Sequence, residues 1–208
     1  MIEAIESFCH AQRLPFDNRT GERFTTYLAL LQRFNEGSNL IGPLSAQAIV
    51  DDLLIDSLRA GVAARPVGHM LDVGTGAGLP GIALRIVFDD CALTLVEPRR
   101  KRATFLKIVA TRLGLSGVTI ENKRIEELTA ARYDYVVSKA FQPPLEWLET
   151  ASAWVQPEGT IVCMTRPHAL EGLQQRAGEL GFTLVGQCAS SSSDGEDRAV
   201  YAFRAPLR

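Results

Sequence analysis

The chain is poor in the residues that most often carry metal and redox chemistry. Its 208 residues include four cysteines and three histidines. Cys9, Cys91, Cys163 and Cys188 lie far apart, form no CxxC pair and do not cluster with His10, His69 or His168. That spacing argues against a bound metal and for small buried hydrophobes in a reducing compartment. Long apolar runs are missing too. Nothing approaches the roughly 18 apolar residues of a membrane span, and Met1-Ile2-Glu3-Ala4-Ile5-Glu6 lacks the basic start and apolar core of a secretory leader. A cytoplasmic chain without membrane or metal partners is expected. Charge of one sign is also lacking: 22 basic residues face 24 acidic ones, for a net charge of −2. No global field draws in a polyanion, so contact with nucleic acid would need a local basic patch.

What is present is apolar patterning. The chain is 46% hydrophobic, and its length supports one well-buried domain with a small appendage. Residues 1–64 read as a helical extension and 65–208 as the main domain. Phe24, Tyr27, Leu28, Leu31 and Phe34 fall on one helix face. Glu36-Gly37-Ser38-Asn39 reads as its end, with Gly37 as a left-handed cap. Ser45 can cap the next helix, in which Ile49, Val50, Leu53, Leu54, Ser57 and Gly61 share an arc. Asp56 falls at the edge of that arc, where it is partly buried or serves a neighbour. Pro66 and Gly68 mark the boundary.

From His69 the period changes. Strands are expected over 70–73, 92–97, 118–122, 133–138, 160–165, 183–188 and 199–204. Helices are expected over 80–88, 100–113, 125–128, 144–154 and 168–180. Alternating strand and helix implies a parallel sheet covered on both faces. The helix-free link through the serine-rich 190–197 loop implies an antiparallel hairpin at one side.

The organising stretch is Leu71-Asp72-Val73-Gly74-Thr75-Gly76-Ala77-Gly78-Leu79-Pro80-Gly81. Gly74, Gly76 and Gly78 allow a sharp turn and the close approach of a ligand, at the strand end where open α/β folds bind ligands. Gly76, Gly78 and Gly81 also satisfy GxGxxG, so the glycines alone fit a dinucleotide as well as S-adenosylmethionine. Asp72 favours the second, because a sulfonium and an ammonium want an acid where a pyrophosphate does not. It reads equally as a strand-end residue bonded to turn amides, and the two roles are compatible. Glu97, at the end of the second strand, suits ribose hydroxyls in either cofactor.

Four blocks then resemble one family. They are Asp72-Val73-Gly74-Thr75-Gly76-Ala77-Gly78-Leu79-Pro80-Gly81, Lys101-Arg102-Ala103-Thr104-Phe105-Leu106, Arg124-Ile125-Glu126-Glu127 and Ser138-Lys139-Ala140-Phe141. Together with Asn39-Leu40, Asp56-Ser57 and Asp194-Gly195-Glu196, they resemble the glucose-inhibited division protein B family, the bacterial small-subunit ribosomal RNA (guanine-N7) methyltransferases called RsmG. The resemblance runs over nearly the whole chain. It implies the seven-stranded class I methyltransferase sheet, mostly parallel with the last strand antiparallel, behind an N-terminal helical extension. It implies S-adenosyl-L-methionine as cofactor, with contacts at Gly74, Leu79, Ile125, Glu126 and Lys139 beside Asp72, Thr75, Gly76, Gly78 and Glu97. It implies 16S RNA or the 30S subunit as partner, and a monomer is the default. Three positions depart from the family pattern: Asp52-Leu53 for Arg-His, Lys139 for Arg, and Arg166-Pro167 for Lys-Gly.

The chemistry fits a chain without an obvious acid–base pair. Guanine N7 already offers a lone pair, so alignment and water exclusion suffice and no catalytic residue is required. Lys139 is a candidate to orient the base. Phe141 is a candidate to stack on it or to lie over the cofactor. Arg99-Arg100-Lys101-Arg102 stacks four positive charges at a helix N-terminus, against its dipole, and reads as an RNA phosphate-binding edge or as a solvated face. Two other readings share these features: a methyltransferase for a small molecule or protein, and a non-catalytic RNA- or ligand-binding homologue.

Overall fold

Helix α2 (Asn18–Ser38) follows directly from its sequence. Asp17 caps it, its carboxylate accepting from the amide and the hydroxyl of Thr20, each at 2.8 Å. One face carries Phe24, Tyr27, Leu28 and Leu31, all buried, and each such side chain contributes roughly 1.5–3 kcal/mol on burial. In this computed structural model, which describes residues 1–38, 40–42, 44–129 and 131–207 (of Ser38 only the backbone), that face packs on two of the helices that flank a seven-stranded sheet. Gly37 is not a left-handed cap: the helix runs through it, and the positive φ comes later, at Gly42. Asn35 is the reason. Its side chain accepts from the Ile41 amide at 2.9 Å and donates to the Gly42 carbonyl at 2.6 Å, closing the turn there. Asn39 lies outside the described residues.

Helix α1 (Ile2–Ala11) precedes α2. After it, Ser45 caps α3 (Ala46–Ala48), its hydroxyl accepting from the Ala48 amide at 3.1 Å. The chain then widens into a π-helical stretch, Ile49–Ile55, and continues as α4 (Asp56–Ala63). Single π turns inside helices often sit at functional positions, and this one carries Asp52. Gly61 has a packing reason. A Cβ there would lie 2.7 Å from the Phe88 ring, so the glycine lets α4 approach the next helix.

The remaining elements alternate. They are β1 (His69–Val73), α5 (Gly81–Val87), β2 (Ala92–Val96), α6 (Arg100–Arg112), β3 (Val118–Glu121), β4 (Tyr133–Lys139), α7 (Pro144–Ser152), β5 (Val155–Thr165), α8 (Leu170–Glu179), β6 (Thr183–Ser191) and β7 (Asp197–Arg204). The strand order is β3-β2-β1-β4-β5-β7-β6, with β7 antiparallel to both neighbours. Residues 125–128 give a single 3-10 turn, and the expected 168–180 helix opens with another at Pro167–Ala169. The hairpin is longer than expected, because Ser190 and Ser191 pair with Arg198 and Asp197 and shorten the loop to 192–196.

Side-chain alternation divides the core in two. Met70, Tyr135, Val137, Val162 and Ala202 face the helices of the first sixty residues together with α5 and α6. Leu71, Val73, Val136, Ile161 and Phe203 face α7 and α8. Both faces are therefore apolar, as a mostly parallel sheet demands. The order β3-β2-β1-β4 also sets four carboxyl ends side by side, a row of about 15 Å at the usual strand spacing.

Candidate functional site

The row begins at the glycine turn. The Gly74 amide continues the sheet by donating to the Val96 carbonyl at 2.9 Å. Beneath the turn Asp72 is wholly buried; its Oδ2 accepts from the Thr75 hydroxyl at 2.6 Å and from the Gly81 amide at 2.7 Å. Gly81 is required there, since a Cβ would stand 2.7 Å from both Asp72 Oδ2 and Leu95. The other oxygen, Oδ1, is buried without a hydrogen-bond partner. Burial raises the Asp72 pKa to about 7, against the opposing bonds from Thr75 and Gly81 and with a further push from the Glu97 charge. Tyr27 supports the turn from below, donating its hydroxyl to the Ala77 carbonyl at 2.8 Å. Sequence periodicity showed Tyr27 only as core, because a phenol's partner fifty residues away leaves no local signal.

Gly74 has φ +68° and faces Phe141, whose ring a Cβ would approach to 2.6 Å. Phe141 thus lies over the turn, edge-on to Trp147. Gly76 has φ +59°, and a Cβ there would stand 3.6 Å from the Arg102 guanidinium, an ordinary contact. Its amide donates to Glu97 Oε2 at 3.0 Å, while Oε1 accepts from the Arg99 amide at 2.8 Å. Glu97 is 2% exposed. A carboxylate offers about four acceptor sites, so this one keeps capacity for hydroxyl donors. Arg102 stands 3.9 Å from Glu97 Oε2, and Arg99, Arg100 and Lys101 lie exposed around it. Glu126 is exposed just beyond the end of β3, next to Ile125, which is buried. Gly78 and Leu79 sit on the underside, Leu79 packed in the core shared with α2 and α6.

Lys139 ends β4 but does not face the glycine turn. Its ammonium is held 2.5 Å from Asp56 and donates to the Asp52 carbonyl at 3.0 Å. Burial pushes its pKa down and Asp56 opposes that. Arg198 on β7 joins the same cluster, 3.6 Å from each of the Asp52 and Asp56 carboxylates. Asp52 also accepts from the Ser193 amide at 2.9 Å and from its hydroxyl. Hydrogen bonds from Ser193, together with Arg198, hold the Asp52 carboxyl below the usual range despite its burial. The sequence placed Asp56 at the edge of a buried arc, and here it serves a neighbour. Arg198 gave no such signal: it reaches the cluster only through the pairing of β7 with β5.

Beside this cluster a cavity of 540 Å³ opens at the carboxyl ends of β4 and β5, lined by Lys139, Gln142, Arg166, His168, Glu196 and Arg198. Gln142 Oε1 is buried there without a partner. The structure therefore forms two adjoining compartments: one of backbone amides and carboxylates around Gly74, Gly76 and Glu97, and one of side chains around Lys139, with Phe141 between them. Among the described residues no group of histidine, cysteine, aspartate and glutamate is placed to hold a metal, and no helix is long and apolar enough to cross a membrane.

Comparison with known proteins supplies the family and the fold. The curated protein from Wolinella succinogenes named ribosomal RNA small subunit methyltransferase G is 36% identical over 172 residues, 83% of this chain and 87% of its own length. The protein of the same name from Cellvibrio japonicus is 32% identical over 183 residues, 86% of this chain and 84% of its own. Among solved structures, the ribosomal protein L11 methylase from Lactobacillus delbrueckii subsp. bulgaricus superposes with a TM-score of 0.60 at 14% identity, covering 74% of this chain and 79% of that one, which shows the class I methyltransferase fold. The GidB family description, rRNA small subunit methyltransferase G, matches residues 20–200, from the second helix to the last strand, and the chain belongs to that family.

Proposed function

We propose that this chain methylates N7 of a guanine in 16S RNA with S-adenosyl-L-methionine as donor. The reading is carried by the family match, which spans both compartments at once. The residues fit the donor. Glu97 keeps acceptor capacity for ribose hydroxyls, and the Gly74 and Gly76 backbone admits close approach. Asp72 fixes that turn from beneath through Thr75 and Gly81. The proposed contacts are thus Gly74, Thr75, Gly76, Glu97 and the 125–126 turn, with Gly78, Leu79 and Asp72 shaping the turn. When bound, the cofactor supplies a methyl group on a cationic sulfur, so a nucleophile needs only a free lone pair.

The side-chain compartment suits a guanine. Lys139 and Arg198 can donate to its O6, and the unpartnered Gln142 Oε1 can accept from its N1–H and N2–H groups. N7 keeps its lone pair free. No base is required, and the groups here are arranged accordingly: Glu97 is committed to backbone amides and Lys139 to Asp56. Lys139 acts as a held positive charge that orients the base. Phe141 covers Gly74 and excludes water between the compartments. The test is transfer of labelled methyl to unmodified 16S RNA and to 30S subunits, followed by nucleotide mass mapping. One labelled 7-methylguanosine is expected. Normal cofactor binding with no labelled nucleotide rejects the RNA assignment.

A further inference from the structure

A second concave surface lies on the opposite side of Glu97 from the side-chain compartment. Helices α2 and α6 run beside one another and leave a groove of 890 Å³, lined from α2 by Thr25, Ala29, Leu30 and Arg33 and from α6 by Lys107, Ile108 and Arg112. It continues into a hollow of 670 Å³ at the start of α6, lined by Arg99, Arg100, Lys101, Arg102 and Phe105. Phe34 and Thr104 line both. The floor is apolar: Leu30, Phe34 and Ile108 are half-buried, and Phe34 meets Phe105 edge-on at 5.0 Å.

The rim is cationic throughout. Arg33, Arg99, Arg100, Lys101, Arg102, Lys107 and Arg112 border it, and among the described residues no aspartate or glutamate lines either part. Of these seven, only Arg102 has an ion-pair partner within 4 Å among the described residues, Glu97. Elsewhere among the described residues half of the basic side chains are paired with a carboxylate within 4 Å, among them Arg23 with Asp89, Arg166 with Glu196, Arg176 with Glu149 and Glu179, and Arg198 with Asp52 and Asp56; what sets the groove apart is that six of its seven cations are unpaired and stand together. In a chain of net charge −2, an acid-free cationic groove is a concentrated local field. It spans the length of α6, about 20 Å, and ends at the carboxylate beside Gly76.

We propose that this α2–α6 groove binds a single-stranded RNA segment flanking the target nucleotide, phosphates on the rim and base faces on the Leu30–Phe34–Ile108 floor. This rests on the function proposed above and adds the path of the strand and its single-stranded state. The floor decides the state. A duplex keeps its base faces stacked and offers phosphates and sugars alone, whereas unpaired bases present flat apolar faces.

The test uses the full-length chain, a fluorescently labelled single-stranded RNA of about twelve nucleotides and the corresponding RNA duplex, with binding followed by anisotropy across a salt series. Wild type is expected to prefer the single strand. The triple variant Arg33→Glu, Lys107→Glu, Arg112→Glu is expected to bind it at least roughly tenfold more weakly at low salt, with the slope of log affinity against log salt reduced by about 2, the value for three lost phosphate contacts on a single strand. Its circular dichroism and cofactor affinity are expected to match wild type. Ile108→Ser is expected to weaken single-strand binding with an unchanged salt slope, because it alters the floor and not the rim. Equal binding of the single strand by wild type and triple variant at every salt concentration overturns the proposal. So does a wild-type preference for duplex, or equal competition by poly-L-glutamate of matched charge. If wild type methylates 16S RNA and the triple variant does so equally well, the groove fails and the function stands. If wild type methylates no RNA, the function fails first.

Discussion

The two compartments at the carboxyl ends of the strands are built by opposite strategies. The glycine compartment draws mainly on one continuous stretch, from Asp72 to Arg102, with Tyr27 beneath it and Phe141 above, and does much of its work with backbone: the Gly76, Gly81 and Arg99 amides all end on carboxylates of that stretch. The Lys139 compartment draws on residues 52, 56, 139, 142 and 198, and works with long side chains. The first is rigid because a turn cannot be rearranged without changing φ. The second is held by ion pairs, each of which another charge could replace. Geometry that must suit one invariant ligand is cheaply fixed in backbone, while side chains can be retuned for a substrate.

Breaking the first compartment has the largest expected effect. Gly74→Val places a branched side chain at φ +68°, against Phe141. The left-handed conformation alone costs roughly 1–2 kcal/mol. Titration calorimetry with S-adenosylmethionine is expected to show no measurable binding, with circular dichroism still native. Retained affinity would show that the turn is not the cofactor's seat.

The second compartment breaks by removing its shared anion. Asp56→Ala leaves Lys139 and Arg198 without that partner. Stripping one partner from a fully buried pair costs about 3–5 kcal/mol. Lys139 is 21% exposed, so about 2–3 kcal/mol is expected in urea unfolding. Adding Lys139→Met is expected to recover much of the loss, because the stranded charge goes with it. Cofactor affinity is expected to stay near wild type in both variants, which sharpens the separation of the compartments. An equal loss in single and double variant would mean that Asp56 matters for packing and not for charge.

The last effect is spread over a pH range and is small at any one pH step. The folded pKa of Asp72, about 7, lies above its unfolded value near 3.8. The native state therefore holds a proton that the unfolded chain has lost. The stability that proton brings is complete below about pH 4 and is gone once pH passes about 7. One such group gives a slope of at most about 1.4 kcal/mol per pH unit in that window. Asp72→Asn keeps an oxygen for Thr75 and Gly81 and is expected to flatten the slope between pH 4 and 7 in denaturant titrations. An unchanged slope would place the titration elsewhere.

The same contrast governs what could be read from the amino acids. All seven strands and the place of the glycine turn follow from periodicity and from glycine spacing, since both are local. Glu97 was legible for the same reason, as the acid closing the strand after the turn. Arg198 and Tyr27 were not. Each acts on a residue far along the chain, Asp52 and Ala77, and nothing in their own surroundings announces it. The misplaced Gly37 cap has a physical lesson. Glycine permits a positive φ, but the Asn35 side chain chose where the chain would reverse.

Glu97 has one further consequence. The same carboxylate meets the glycine turn through Gly76, the start of α6 through the Arg99 amide, and the groove through Arg102. With cofactor and RNA bound as proposed, the one taking up its spare oxygen capacity and the other drawing Arg102 away, both act on a single charge balance. Their binding free energies are therefore not independent. Linkage makes the dependence reciprocal: whatever factor RNA imposes on cofactor affinity, cofactor returns to RNA affinity in full.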